Sequence, residues 1–484
     1  MAEANAVKKP EVEQVPNEAP KKSKVPNAYV ILFFILILMS VLTYIVPSGE
    51  FERVMMDNGR MGVLPGSFHL VEKTADMTVS LWDLFRAIPV GMIQASSVMM
   101  VVFFAGGMFE VLGATNVIEN SIGISIKKIE EHNISKHWAL VILTFLFGFF
   151  GAAVGYENLM PFVPLGVMVA LGFGYDLMVG AAVVIGGLSV GFATSPINPY
   201  TVGTAHAIAD LPTFSGMGLR TAYCLTALVF MAHHTIRYVK KLEKNPNSSM
   251  VKGISTEGLD VDHDKFNSYS LDGKGKLILG IFLSFIVVVV FGVIKFKWYL
   301  NEISALFILY AVVIGLVARF SSDRIVKEFI TGAGNIAGGA LIVGFARAIQ
   351  VILTQGKIGD TIINNLSAPL HNFSPTISAI LMTLVQGVIN FFIPSGSGQA
   401  MATMPIMIPL ADLIGVNRQI AILAFQVGDG LINMIVPTLG GLLAMLALAR
   451  VPFDKWFRFI LPLVMKLFVV GWIFIAIATA INWQ

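Results

Sequence analysis

Two carboxylates stand where the chain is otherwise apolar. Glu157 lies in a GYEN stretch and Asp429 in a GDG stretch, each inside a hydrophobic block that Gly, Pro and small polar residues interrupt. Gly155, Tyr156 and Asn158 surround the first acid, and Thr194, Ser195 and Asn198 follow it in ATSPINP. Ser395, Gly396, Ser397, Gly398 and Gln399 precede the second acid, and Asn433 and Thr438 follow it around IVPT. A helix stopped inside an apolar block exposes N–H groups at its new start, with a positive dipole end. Those groups suit a carboxylate, and the carbonyls freed by the break suit a cation such as Na⁺. The Gly residues let backbone approach a ligand, while the Ser, Thr, Asn and Gln side chains add partners. Gly and Ser also serve close helix packing, which suffices for a single Gly. Two interrupted segments together point to a binding site.

Charge at membrane depth is costly and faces a cavity or a partner. Glu157 and Asp429 are therefore expected to bind substrate or carry a coupling ion. A carboxylate satisfied by nearby backbone N–H groups is the bland alternative. Arg347, inside the block 328–353, reads either as a charge partner of one of these acids or as a substrate contact. Glu110 reads as interfacial, and His206, His233 and His234 as packing or surface residues near helix ends.

The elements that must position these groups are membrane helices. Of 484 residues 56% are hydrophobic and only 13% charged, about half the charge of a soluble domain. Blocks such as 29–46, 277–294 and 468–481 with its upstream residues each match about 30 Å of hydrocarbon. The first block lacks a following small-residue cleavage site and reads as a retained helix. The fold expected is an all-α polytopic membrane protein. Cys224 is the single cysteine, so no disulfide within the chain and no thiol metal site are expected.

Residues 1–26 are rich in Lys, Glu, Pro and Asn and read as a disordered tail. Their lysines place the N-terminus in the cytoplasm. Helix 1 then leads to an external segment at 48–82, punctuated by Gly and Pro as a small ordered cap would be. Residues 27–240 make a first transmembrane repeat, 241–275 a mobile, Lys-bearing cytoplasmic linker, and 276–484 a second repeat. An extra apolar block, 303–318, opens the second half, so every later element runs the opposite way and the C-terminus falls outside. Charge bias thus predicts two repeats of inverted topology.

A single offset of 241 positions carries Gly91 onto Gly332, Gly155 onto Gly396, Pro164 onto Pro405, Gly174 onto Gly415, Gly187 onto Gly428 and Pro196 onto Pro437. These residue types fall where backbone shape is specified. Each repeat then reads as a long helix (86–112; 328–353), a hairpin (137–172; 376–415), a helix broken at ATSPINP or NMIVPT, and a closing helix (216–240; 456–481). The return arm of each hairpin is short for a span, so the hairpins are expected to be re-entrant.

At these residues the chain resembles a known family. VPNAYVILFFILILMSVLTYIVPSGEF, PGSFHLVE, GYENLMPF and IPSGSGQAMATMPIMIPLADLIGVNRQIAILAFQVGDGLINMIVPT resemble the YfcC-type branch of the DcuC (anaerobic C4-dicarboxylate carrier) family, within the ion transporter superfamily. The resemblance covers nearly all the chain from about Val25. It implies a secondary transporter of the bacterial inner membrane, with inverted repeats, elevator-like alternating access and a homodimeric state. It also implies a substrate among C4-dicarboxylates or basic amino acids of the arginine/ornithine type.

The residues themselves lean toward an amino acid. A dicarboxylate asks for more fixed positive charge than Arg347 alone, whereas Glu157 or Asp429 could pair with an amine. The same acids could instead carry H⁺ or help hold Na⁺, which leaves a Na⁺- or H⁺-coupled dicarboxylate carrier open. An ion channel is the rival of another class. No GxxxxGK[ST] or HExxH motif occurs, so neither an ATP-driven pump nor an enzyme is expected, and neither a cofactor nor a nucleic-acid partner.

Overall fold

Uncharged runs of Leu, Ile, Val, Phe and Ala become helices here because, away from water, backbone groups must satisfy one another. The computed structural model describes residues 28–55, 61–64, 66–131, 135–154, 157–256, 259, 270–296 and 298–483. The expected tail, most of the central linker after residue 256, and Gly155 and Tyr156 at the first corner lie outside these. Seven helical segments among the described residues are long and apolar enough to cross a bilayer: 96–113, 136–153, 177–208, 300–317, 337–356, 375–392 and 453–480. The chain is a multi-pass, helical membrane protein.

In the first half, α1 (Ala28–Ile45) leads into four short strands, β1 (Gly49–Glu50), β2 (Arg53–Met55), β3 (Met61–Val63) and β4 (His69–Leu70). β1 pairs antiparallel with β4, and β2 with β3. Then come α2 (Leu81–Gln94), α3 (Ser96–Gly113), α4 (Val117–Glu131) and α5 (Lys136–Val154). A 3₁₀ turn at Glu157–Phe162 precedes α6 (Val163–Gly172). α7 (Leu177–Ala181) and α8 (Gly187–Thr194) flank a π-turn and form one rod. A second π-turn at Pro199–Gly203 precedes α9 (Thr204–Ile208), and α10 (Met217–Lys244) closes the half.

The second half holds α11 (Gly273–Phe296), α12 (Leu300–Val317), α13 (Ser322–Asn335), α14 (Ala337–Gly356) and α15 (Gly359–Ser367). It continues with α16 (Pro375–Phe392), α17 (Gly396–Leu413), α18 (Arg418–Ile432), α19 (Gly440–Leu448) and α20 (Phe453–Ala480).

Packing sorts these helices into two groups. α1–α4 and α11–α15 form one, in which α2 lies on α14 and α3 on α12 and α13. α5–α10 and α16–α20 form the other, in which α5 lies on α8, α16 on α18, and α8 on both α10 and α18. α19 packs against α14 and α3, joining the groups.

Backbone detail recurs at the offset read from the sequence. α2 and α13 are both 14 residues long with bounds 241 apart. Both are capped by a Ser, Ser80 accepting from the N–H of Asp83 and Ser321 from that of Arg324. Gly174 and Gly415 both take positive φ, +86° and +72°, a region that favours glycine. Each stands just before a rod capped by Asp176 or Asn417. Asn116 and Lys357, also 241 apart, are both left-handed. After the π-turn at Pro199–Gly203 the spacing falls by one, to the left-handed pair Asp210 and Arg450. A π-turn adds one residue to a helix, which accounts for the slip.

Three expectations need correction. The long helices expected at 86–112 and 328–353 are each broken, at Ala95 (φ −96°, ψ 6°) and Ile336 (φ −108°, ψ 9°). No Pro or Gly lies within three residues of Ala95, whereas Ile336 stands among Gly334, Asn335, Gly338 and Gly339, a local signal that the hydrophobic length of the block outweighed in the sequence reading. The expected linker starts inside α10, which runs to Lys244. Residues 245–256 bond back to the helices: the Ser249 hydroxyl donates to Asp176 (2.7 Å), and the Met250 N–H donates to the Tyr238 hydroxyl (2.9 Å).

Candidate functional site

The two broken rods enter from opposite ends of α10. Asp176, the N-cap of α7, accepts from the N–H of Val179 (3.1 Å) and the hydroxyl of Tyr238 (2.7 Å), near the end of α10. The start of α18 is held near the beginning of α10 instead. There Arg220 donates to Gln419 Oε1 (2.8 Å) and to the carbonyl of Ser215 (2.9 Å). Arg220 is fully buried, with its guanidinium 4.7 Å from the Trp483 ring. His206 Nδ1 accepts from the N–H of Phe214 (3.0 Å), so Nε2 carries the proton it shares with Gln419 Oε1 (3.1 Å). Arg220 and Tyr238 are separated by 18 residues of helix, roughly 27 Å.

The rods meet between those ends. A Cβ on Gly430 would stand 2.4 Å from Ala193 Cα, so α8 and α18 touch backbone to backbone. Gln426 Nε2 donates across the crossing to the carbonyl of Ser195 (2.6 Å). Both chain breaks, 195–198 and 433–439, therefore follow directly on one crossing.

In the first break, the Ser195 hydroxyl donates to the carbonyl of Ala152 (2.7 Å) and accepts from the N–H of Ile197 (3.0 Å). Asn198 Oδ1 accepts from the N–H groups of Tyr200 (2.8 Å) and Thr201 (3.2 Å), starting the next helical piece. Thr194 donates to the carbonyl of Val190 (2.7 Å) in its own helix. Thr194, Ser195 and Asn198 are all completely buried. Glu157 and Asn158 belong to the 3₁₀ turn before α6, with side chains outside the description, and that turn packs against α19 of the other half.

The second break sits on a buried polar network. Asn390 Nδ2 lies 2.9 Å from Asp429 Oδ1, 3.0 Å from Asn433 Oδ1 and 3.1 Å from Gln399 Oε1. Gln399 Nε2 donates to Gln386 Oε1 (2.7 Å), and Gln386 Nε2 to Thr403 (3.0 Å). Asp429 Oδ2, Asn390 Oδ1, Asn198 Nδ2 and Thr201 Oγ1 are buried and have no hydrogen-bond partner among the described residues. A Cβ on Gly396 would lie 2.6 Å from Thr201 Cγ2 and 3.5 Å from Asp429 Oδ2. The glycine thus lets the tip of the second hairpin reach both breaks. Thr438 donates to the carbonyl of Phe391 (2.9 Å), tying the far end of the break to α16.

Two cavities reach this hairpin tip, and both are lined by Arg347, Gln350 and Ser395. The larger, about 580 Å³, also touches Gly398 and the strand segment at Glu50 and Arg53. The smaller, about 340 Å³, is bounded by Gln94 and Ala95 at the α2–α3 break and by Thr438–Gly441 at the start of α19. Arg347 Nε donates to Gln94 Oε1 (3.1 Å), and Nη1 donates to Gln350 Oε1. Among the described residues, no carboxylate lies within ion-pair distance of Arg347. Ser395 caps α17, accepting from the N–H of Gly398 (3.3 Å), and is exposed; Gly396 and Ser397 are half-buried behind it. A guanidinium bonded only to amide oxygens, beside two helix N-termini, can exchange them for a carboxylate.

Of the residues expected from sequence, Thr194, Ser195, Asn198, Gly396, Gln399, Asp429 and Asn433 gather at or beside the crossing, while Ser395, Gly398, Thr438 and Arg347 line the cavities. Arg347 bonds two amide oxygens, and the nearest polar partner of Asp429 is Asn390. Sequence reading passed over Gln386, Asn390, Thr403, Gln426 and Arg220. A signal existed for the first three: Gln386/Asn390 and Gln399/Thr403 recur at i, i+4 on apolar helices, as Asp429/Asn433 do.

The family model described as C4-dicarboxylate anaerobic carrier matches residues 25–480. The Escherichia coli (strain K12) protein named "Putative basic amino acid antiporter YfcC" is 31% identical over 473 residues, 90% of this chain and 92% of that protein. A Haemophilus influenzae (strain Rd) protein, named as uncharacterized, is 27% identical over 512 aligned positions, 96% of this chain and 99% of its own. Among solved structures, the Alcanivorax borkumensis YdaH transporter is 16% identical with a TM-score of 0.43, covering 95% of this chain and 99% of its own. The corresponding values for Neisseria gonorrhoeae MtrF are 15%, 0.42, 94% and 95%.

Proposed function

The chain belongs to the C4-dicarboxylate anaerobic carrier (DcuC) family, and we propose that it is a secondary active transporter of a small carboxylate-bearing solute. The observation that carries this reading is the approach of both chain breaks and the Gly396 hairpin tip to one buried crossing, with Ser395 of the same tip facing the cavities. A solute held there has backbone N–H groups from α17 and α19, and Arg347, for its carboxylate. The buried oxygens Asp429 Oδ2 and Asn390 Oδ1 are acceptors without donors, suited to a hard cation such as Na⁺, to a proton, or to a substrate amine.

Two inverted-topology repeats are part of the proposal. It is supported by the entry of α7 and α18 from opposite ends of α10 and by the caps, left-handed residues and helix bounds that recur 241 positions apart. In this reading α5–α6 and α16–α17 are re-entrant hairpins, and the group α5–α10 with α16–α20 moves against the other group by alternating access. The protein then works as a homodimer in the bacterial inner membrane, N-terminus inside and C-terminus outside.

An amino acid is the first substrate reading, because the site offers a carboxylate, Asp429, as well as carboxylate-binding groups. The E. coli relative's name points to a basic one. A C4-dicarboxylate is the second, favoured by Arg347 having no carboxylate partner among the described residues.

The test is counterflow in proteoliposomes. Purified protein is screened by thermal shift against arginine, ornithine, aspartate and succinate, with and without Na⁺, since a ligand in excess raises apparent stability. Vesicles loaded with a hit are then given the labelled solute. Accumulation driven by the unlabelled solute inside is expected, and Arg347→Gln should weaken apparent affinity about 10- to 100-fold, the worth of a charged hydrogen bond. Flux without counterflow would indicate a channel, and unchanged affinity in the variant would remove Arg347 from the site.

A further inference from the structure

The short strands after α1 are tied to the second half of the chain. Their backbone is stitched to the α14–α15 junction: Gly49 N–H donates to the carbonyl of Lys357 (2.9 Å), Ser48 to that of Gly356 (2.8 Å) and Thr361 to that of Pro47 (2.9 Å). Phe51 and Val63 form a small buried core with Ile363 and Ile389, against which Ala402 and Ile406 of α17 pack. The cap thus bridges one helix group and the hairpin arm of the other.

Its charges are spent inward, on the larger cavity. Arg53 Nη2 lies 2.9 Å from both oxygens of Asp360, which also accepts the N–H of Phe51 (3.0 Å). Lys357 Nζ lies 2.9 Å from Glu50 Oε2, and that bond holds the Glu50 carboxyl below its usual range. All four residues line the cavity together with Arg347. Lys357 takes φ +50°, a conformation that Gly or Asn adopts at lower cost.

We propose that Glu50 and Arg53 are specificity-determining residues: their pairing with Lys357 and Asp360 neutralises the cavity wall and leaves Arg347 as its surplus charge. A solute would then enter carboxylate first, toward Arg347 and Ser395, and the wall would tune the tolerance for its remaining charge. The inference rests on the transporter reading above and adds to it the residues that set charge selectivity.

The test compares apparent affinities of the purified, reconstituted full chain for succinate, aspartate, asparagine and ornithine, which run from dianion through zwitterion to cation at similar size. Glu50→Gln frees Lys357 and should raise the succinate-to-ornithine affinity ratio about tenfold; Arg53→Gln frees Asp360 and should lower it about tenfold. A cap that merely stabilised the fold would not move one ratio in opposite directions. The swap Glu50→Lys with Lys357→Glu keeps the pair and the net charge, and should leave the ratio within about twofold of the parent. If the parent binds these solutes and the single variants leave the ratio unmoved, or both shift it the same way, the inference fails while the transporter reading stands. If the parent binds none of them, both fall.

Discussion

Replacing Gly430 with alanine tests whether the crossing of α8 and α18 is what aligns the two chain breaks. The new Cβ would sit 2.4 Å from Ala193 Cα, 2.6 Å from its Cβ and 3.0 Å from its carbonyl oxygen. Carbon atoms in contact rest about 3.5–4.0 Å apart, and the obstacle is backbone that cannot rotate away, so the rods must separate by roughly 1 Å. Overpacking of this kind costs about 1–3 kcal/mol. Separation also stretches the 2.6 Å bond from Gln426 to the carbonyl of Ser195, worth about 1 kcal/mol. The helix-propensity gain of Gly→Ala, about 1 kcal/mol at most, does not offset both. We expect Tm to fall by about 1–3 °C for a chain of this length and uptake at subsaturating solute to fall at least about tenfold, since misplacement by 1 Å is enough to disable a positioned site. The control is Gly280→Ala in the middle of α11, where a Cβ meets nothing within 4 Å; it should leave Tm and uptake unchanged or slightly raised. Thermal unfolding and proteoliposome uptake, measured on both variants, decide the matter. A Gly430→Ala protein as stable and active as the parent would refute the claim that this contact sets the site.

Two further outcomes follow from buried polar groups. Asp429→Asn keeps an acceptor for Asn390 while removing a carboxylate whose Oδ2 has no partner. It should hold or raise Tm while cutting uptake at least about tenfold, and Glu157→Gln should likewise cut uptake without loss of folded protein; normal transport in both would remove the acids from the mechanism. Arg220→Met strips Gln419 and the Ser215 carbonyl of a charged donor and should destabilise by about 3 kcal/mol, whereas Arg220→Lys should restore only part because it lacks the planar fork. A Met variant with parental Tm would mean that the start of α18 does not depend on this arginine.

How far the site was legible depended on whether its chemistry was local. Breaks at ATSPINP and NMIVPT announce themselves because Pro and Gly act on their own backbone and their immediate neighbours. The caps Ser80, Ser321, Asp176 and Asn417 likewise bond within a few residues. The break at Ala95 carries no such residue and lies where α2 packs on α14, while the one at Ile336 stands among Gly334, Gly338 and Gly339 and lies where α13 packs on α3. Arg220, near the start of α10, carries no local sign of its role, which comes from burial against Trp483 and Gln419. For Asn390 the sequence shows only Gln386 four residues before it; α17 and α18 bring Gln399, Asp429 and Asn433 to it.

The sequence by itself determined the class of the protein and the helix stops at ATSPINP and NMIVPT, because hydrophobic length and Gly, Pro and capping chemistry act within a turn or two of chain. Tertiary structure alone decided which stops meet, which polar groups are shut in together, and that the strands near residue 50 rest on residues 356–361. Those are pairings between segments hundreds of residues apart, set by shape and charge complementarity between assembled surfaces, and short-range preference carries no record of the partner.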